Sequence, residues 1–263
     1  MRHAVSTNDA RRARPEILAL IPARGGSKGI PRKNLVVVAG KPLIAYSIEQ
    51  ALASRRITRT VVSTDDPEIA EVARSYGAEV PFLRPGELAQ DLSTDLEVFR
   101  HALEQLRAGE GYRCDLVVHL RPTGPVRRVA LIDQAIETML GHPEAHSLRS
   151  VGPSELTPYK MWHIVDGELR PVLRIEGMAE PYCAPRQSLP EVYWQNGYVD
   201  IVRPEVILER NRMAGERILP FIVDEPVVEL DYPESLARLE DALLALRRGE
   251  WPPARPAGAR HPV

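Results

Sequence analysis

The chain has 263 residues, 44% of them apolar, with 34 lysines and arginines against 36 aspartates and glutamates and a formal net charge of -2. That length buries a sizeable core in one large α/β domain, and the near-neutral balance excludes a nucleic-acid binder that works through bulk charge. No apolar run reaches the roughly 18 residues of a membrane span, and the two distant cysteines, Cys114 and Cys183, lack metal-ligand spacing and fit a reducing cytoplasm.

Residues 1–15 are basic without an apolar segment, so they read as a disordered tail and not as a secretory signal. An apolar run at 17–21 reads as a buried strand. It launches the loop Pro22-Ala23-Arg24-Gly25-Gly26-Ser27-Lys28-Gly29-Ile30-Pro31-Arg32-Lys33-Asn34. Its glycines let backbone N–H groups approach a phosphate chain, and Arg24, Lys28, Arg32 and Lys33 add positive charge where such a ligand is negative. The order of residues matches neither a P-loop nor a dinucleotide fingerprint. A plain basic turn is the competing reading.

After the turn at Gly40-Lys41, a helix starts near Pro42 with an apolar stripe of Leu43, Ile44, Ser47, Ile48, Ala51 and Leu52. A short strand at 60–63 follows, then a helix to about Tyr76 with Asp66 as N-cap, Pro67 in the first position and Gly77 as its stop. Residues 80–83 are extended, a helix spans 94–106, a strand 116–120 and a helix 130–140. This alternation predicts a Rossmann-like three-layer α/β fold with a mostly parallel sheet, whose ligands sit beyond the carboxyl ends of the strands. The loops after Ile21, Ser63 and Leu120 should therefore converge on one site. Residues 152–190 break the pattern, being rich in proline, charge and isolated aromatics. They read as an excursion within a domain at 16–250, serving a substrate pocket, a dimer contact or both. Strands at 193–202, 218–223 and 227–230 and a helix at 233–246 close the domain, and 251–263 read as a second disordered tail.

From Ile17 to about Leu246 the chain resembles the CMP-N-acylneuraminate cytidylyltransferases, including relatives that activate legionaminic and pseudaminic acids. The carriers are Ile21-Pro22-Ala23-Arg24-Gly25-Gly26-Ser27-Lys28-Gly29 with Lys33-Asn34, then Gly40-Lys41-Pro42-Leu43-Ile44, Val62-Ser63-Thr64-Asp65-Asp66, Arg84-Pro85, Pro122-Thr123-Gly124-Pro125 and Asn196-Gly197, in the family's order. The resemblance implies a Mg²⁺-dependent enzyme, a homodimer, that transfers CMP from CTP to a carboxylated sugar acid. The charge balance and the lack of a long apolar run, for their part, lead us to expect no nucleic-acid or membrane partner. Ala23, Arg24, Gly25, Gly26, Ser27, Lys33, Asn34 and Arg84 would bind the nucleotide, with Arg24, Lys33 and Asp231 taking part in catalysis. Lys160, Arg186, Gln187, Gln195 and Asn196 would bind the acceptor, the cations meeting its carboxylate.

Glu229 and Asp231 are the metal candidates, since residues two apart on a strand share a face. The family pattern is Asp-x-Asp, and Glu229 is one methylene longer. Asp231 with Glu234 also reads as a capping box for the last helix. Two further departures concern the acceptor. Arg121 stands where the family commonly has glutamine, and Asp200 where a tyrosine often lies. Either the two pair across the pocket and leave a sugar acid as acceptor, or Arg121 joins Lys160 and Arg186 on a more anionic acceptor such as a phosphonate. His119 reads as a satisfied core histidine, and no residue is assigned as a base. A glycosyltransferase would not need the Lys-Asn that closes the basic loop, and a non-catalytic nucleotide-binding module is the remaining alternative.

Overall fold

The computed structural model describes residues 14–250, so the expected tails at 1–15 and 251–263 fall almost entirely outside the described residues. In chain order the elements are β1 (Ile17–Pro22), β2 (Val37–Val38), β3 (Lys41–Pro42), α1 (Leu43–Ala53), β4 (Arg59–Ser63), α2 (Pro67–Ser75), α3 (Asp95–Glu110) and β5 (Leu116–His119). They continue with α4 (Val129–Leu140), β6 (Ser147–Pro153), β7 (Trp162–Val165), β8 (Glu168–Pro171), β9 (Tyr193–Val202), α5 (Pro204–Leu208), β10 (Ile218–Ile222) and α6 (Ser235–Arg247).

Six strands form the central sheet in the order β10-β6-β9-β5-β1-β4. Only β9 runs antiparallel to its neighbours. The apolar run of β1 is buried on both faces because helices cover both. Ile44, Ile48, Ile69 and Ile136 from α1, α2 and α4 pack on one face, while Phe99, Ala102 and Leu106 of α3 and Val206 of α5 pack on the other. A third cluster seats Leu239 and Leu243 of α6 against Val38 and Leu43. Leu52, expected in the stripe of α1, is instead 51% exposed at the rim.

The helix ends follow local chemistry. The Asp66 carboxylate accepts from the backbone N–H groups of Glu68 and Ile69, and Gly77 leaves α2 at φ +93°. Thr94 and Glu97 form a reciprocal capping box at the start of α3. The expected capping box of Asp231 and Glu234 is not formed. Glu234 itself is the N-cap of α6, without a side-chain cap bond, and Asp231 reaches Lys33 instead.

Three strand expectations change. Residues 227–230 form no strand: Val228 and Leu230 are buried, but the segment joins no ladder, and a backbone bond from Leu230 N to Thr123 O ties it down. Residues 80–83 form no strand, and a single bridge pairs Val61 with Glu79 nearby. Strand β6 was not expected, because Ser147, Arg149 and Ser150 hide its pattern. Both serines are buried and bonded, Ser147 Oγ donating to Ala214 O and Ser150 Oγ accepting from Val199 N.

The excursion carries a two-stranded hairpin of β7 and β8 turning at Asp166-Gly167, both at positive φ as a tight hairpin turn requires. Among the described residues no helix is long and apolar enough to cross a membrane.

Candidate active site

The loops after β1 and β5 converge as expected on a cavity of about 360 Å³, whereas the loop after β4 does not line it and instead holds the β1 loop through Asp65. The cavity walls come from the loop after β1, the segment 84–95 and the residues 119–123 that end β5. Pro22, Arg24, Gly26, Ser27, Lys33, Asn34 and Arg84 all line it.

The loop is fastened at its start to the end of β4 and the residues after it. Ala23 N donates to Ser63 O at 3.0 Å, and Gly25 N to Asp65 Oδ1 at 3.0 Å. Gly25 passes so close to α2 that a Cβ there would lie 2.6 Å from Asp66 Oδ2. Asn34 is buried and its amide donates to Arg24 O at 2.9 Å, so it closes the loop by holding the backbone that carries Arg24. Arg24 Nη1 donates to Gln90 O at 2.8 Å and lies 3.2 Å from Asp91, which Lys28 also meets at 2.5 Å. Lys33 is mostly buried, its Nζ 3.4 Å from Asp231 Oδ1.

Arg32 departs from the expected set of phosphate-facing cations. At φ +52° it turns its guanidinium to Asp66 at 2.8 Å and Glu68 at 2.6 Å, away from the cavity. Arg84, in contrast, is buried among the cavity walls. Asp65 Oδ1 lies 3.7 Å from its Nη2, its Nε has no partner, and burial pulls its pKa down.

A buried polar wall lies deeper. Asp200 is 1% exposed, and its Oδ2 accepts from Arg121 Nη1 at 2.8 Å, lies 3.0 Å from Arg149 Nη1 and accepts from Gln195 Nε2 at 3.1 Å. Arg121 and Asp200 are thus paired, the first of the two sequence readings. A bulge makes this possible. Arg149 pairs with Asp200 but Val151 pairs with Gln195, so extra residues of β9 arch out around Gly197 at φ +66°. Asn196 shapes that arch, its side-chain oxygen accepting from Tyr198 N at 3.2 Å. It is buried there, and like Gln195 it does not line the cavity.

Sequence reasoning missed Arg127. It is wholly buried, donating to Tyr198 O at 2.5 Å, Arg121 O at 2.6 Å, Ser47 Oγ at 3.1 Å and Gln50 Oε1 at 3.3 Å. It staples β9, the loop after β5 and α1 together, and burial first, then Arg121, lowers its pKa to about 10. Nothing in the first of two adjacent arginines, Arg127-Arg128, after a proline turn marks such a role.

Glu229 is partly buried beside Arg121 and Arg127. Burial and the charge of Asp231 push its carboxyl above the usual range, with Arg121, Arg127 and Lys33 opposing. Gly124 and Gly197 make room for it, since a Cβ on either would lie 3.4 or 3.3 Å from Glu229 Oε1. Among the described residues no three His, Cys, Asp or Glu side chains cluster as a metal site. Mg²⁺ asks for one or two carboxylates and completes its shell with phosphate oxygens and water. Glu229 and Asp231 offer such a pair next to the cavity but not among its lining residues, and burial first, then the charge of Asp231, holds Glu229 against ionisation.

Lys160, Arg186 and Gln187 do not line the cavity. All three are exposed on the excursion, and Arg186 Nη2 donates to Ser154 O at 2.9 Å. His119 is buried as expected but not satisfied. Neither ring nitrogen has a hydrogen-bond partner, although the ring packs edge-on against Phe99.

A family model described as cytidylyltransferase matches residues 18–166. The chain is 34% identical over 232 residues to a CMP-N,N'-diacetyllegionaminic acid synthase of Legionella pneumophila, covering 85% of this chain and 94% of that protein. It is 34% identical over 225 residues to the post-translational flagellin modification protein B of Campylobacter coli, covering 82% and 92%. Among solved structures, a CMP:2-keto-3-deoxy-manno-octonic acid synthetase complexed with CTP superposes with a TM-score of 0.66 at 17% identity, over 88% of this chain and 99% of that one. A 4-diphosphocytidyl-2C-methyl-D-erythritol synthase superposes with a TM-score of 0.63 at 14% identity, over 88% and 100%.

Proposed function

The chain belongs to the cytidylyltransferase family and is a CTP-dependent nucleotidyltransferase, and from that premise we propose that its acceptor is a nonulosonic acid of the sialic, legionaminic or pseudaminic type. The observation that carries this reading is the cavity itself. It sets a cationic, glycine-bearing loop with Arg24 and Lys33 across one cavity from Arg121, whose guanidinium the buried Asp200 holds from behind. An oxygen of the acceptor's anomeric hydroxyl attacks the α-phosphorus of CTP. The new O–P bond forms as the α–β bridging bond breaks, pyrophosphate leaves with that electron pair, and the hydroxyl proton passes to solvent.

Arg24, Lys33 and the loop amides bind and orient the triphosphate and offset charge on the leaving pyrophosphate. Arg84 receives the nucleoside beside them. Glu229 and Asp231 are the residues that would hold Mg²⁺, whose chemistry there is to neutralise phosphate charge and favour ionisation of the acceptor hydroxyl. The Arg121–Asp200 pair supports a sugar acid over a phosphonate, because Arg121 is already neutralised by a buried carboxylate.

The reading extends to a cytoplasmic homodimer. The excursion exposes Leu156 (70%), Ile164 (78%) and Leu169 (61%), an apolar surface that a second copy would cover. Lys160 and Arg186, outside their own cavity, would then meet the acceptor carboxylate in the partner's. The test is pyrophosphate release from CTP and Mg²⁺ across N-acetylneuraminic, N,N'-diacetyllegionaminic and pseudaminic acids and a phosphonate. Release with at least one nonulosonic acid is expected. Release with the phosphonate alone, or with none, overturns the reading.

A further inference from the structure

One carboxylate in the cavity has no part in the chemistry above. Asp95 lines the cavity and is about half exposed, at the first position of α3. The helix does not need it as a cap, because Thr94 Oγ1 already accepts from Glu97 N while Glu97 Oε2 accepts from Thr94 N at 2.8 Å. Two groups lie behind Asp95 Oδ2. Arg121 Nη2 is 3.5 Å away, and His119 Nδ1 is 3.9 Å away, just beyond hydrogen-bond length.

His119 supplies the independent pointer to a ligand. It borders the same cavity, its side chain is 1% exposed, and both of its nitrogens lack partners. Leaving such a group unpaired costs stability that a leucine at this place would not lose. Burial foremost, then Arg121, Arg149 and Arg127, hold its pKa well below 6.5, so it is a neutral ring with one donor and one acceptor.

The charges of the wall decide what it recognises. Asp200 meets both Arg121 and Arg149, Asp95 meets Arg121 again, and the buried Arg127 is spent on neutral acceptors, so the charged group turned toward the cavity beside His119 is the Asp95 carboxylate. Both substrates of the proposed reaction are anions rich in hydroxyl groups. A carboxylate facing them binds by accepting from O–H, and that bond is charge-assisted.

We propose that Asp95, backed by His119 and Arg121, binds a hydroxyl of a bound substrate, with Asp95 as the contacting group and His119 as a positioning residue that donates to it once the ligand seats. This rests on CTP and a polyhydroxylated acid being the substrates. The hydroxyl belongs either to the ribose or to the acceptor, and the experiment separates them.

CTP, 2'-deoxy-CTP and 3'-deoxy-CTP are titrated calorimetrically into wild type, Asp95→Ala and His119→Leu without acceptor, and the acceptor KM is then measured at saturating CTP. If the ribose is read, Asp95→Ala weakens CTP by roughly 10- to 100-fold and no longer tells it from one of its deoxy analogues. If the acceptor is read, CTP affinity holds and the acceptor KM rises by a like factor. His119→Leu moves the same quantity by about three- to tenfold while thermal stability stays level or rises. His119→Asn, which keeps an N–H, restores part of the loss.

Unchanged CTP affinity and acceptor KM in a folded Asp95→Ala protein overturn the inference. So does a His119→Leu variant that loses stability with both constants intact, since that marks a merely structural histidine. Wild type that binds CTP but releases no pyrophosphate with any acceptor fails the functional reading, and the deoxynucleotide titrations then judge Asp95 alone.

Discussion

The loop at 22–34 and the excursion at 152–190 are both irregular, yet one is held by the chain that carries it and the other is not. The loop bonds to β4 through Ser63 and Asp65, closes on itself through Asn34, and brings Gly29 within 3.1 Å, at its would-be Cβ, of Asp231 O. In the excursion, β7 and β8 are exposed almost throughout, and the contact of Trp162 with Tyr182, ring centroids 4.4 Å apart, is internal to the segment. A segment that finds its partners in the sheet is shaped before any ligand arrives. One that leaves isoleucine and leucine exposed offers the surface on which the proposed second copy would sit.

The largest expected effect tests the first half of that contrast. Lys33→Ala removes a mostly buried cation facing the cavity, along with its contact to Asp231. We expect kcat for pyrophosphate release to fall by roughly 10²- to 10³-fold, with the thermal midpoint little changed because the loop's backbone ties remain. A fall of less than about fivefold would remove Lys33 from the phosphate site.

The second half is tested by Ile164→Lys. Ile164 is 78% exposed on β7, so the substitution should leave the fold intact. In a dimer it places a charge in an apolar contact, and sedimentation velocity should show the mass of one chain where wild type shows two. If Lys160 and Arg186 serve the partner's site, the acceptor KM rises on dissociation while CTP affinity holds. Wild type that sediments as a monomer breaks the comparison outright.

The same contrast explains what was legible in the sequence. The loop, the cap at Asp66, and the strands β1, β4 and β5 are local, with apolar runs and turn residues next to each other in the chain. Pairing of Arg121 with Asp200 was also within reach, because two departures of opposite charge suggested one another. Strand β6 was not, since its buried serines are satisfied by Ala214 and by the bulge in β9, partners distant in sequence. Arg127 and Asp95 escaped for a related reason. Burial of one and the idleness of the other as a helix cap are facts of the assembled fold.

The smallest expected effect separates neighbours. Arg32 and Lys33 are adjacent, equally charged and part of one motif, so sequence alone gives them one role. The left-handed backbone at Arg32, φ +52°, rotates its side chain out to Asp66 and Glu68, while Lys33 turns inward. Exposed ion pairs contribute little, and the Asp66 carboxylate keeps its two bonds to the N-terminus of α2 without Arg32. Arg32→Ala should therefore leave the KM for CTP within about twofold of wild type, with a thermal shift that shrinks as salt is raised. A loss of CTP affinity matching that of Lys33→Ala would mean that the loop swings Arg32 onto the phosphates when the nucleotide binds, and that its fastening to the sheet is looser than the bonds at Ala23, Gly25 and Asn34 imply.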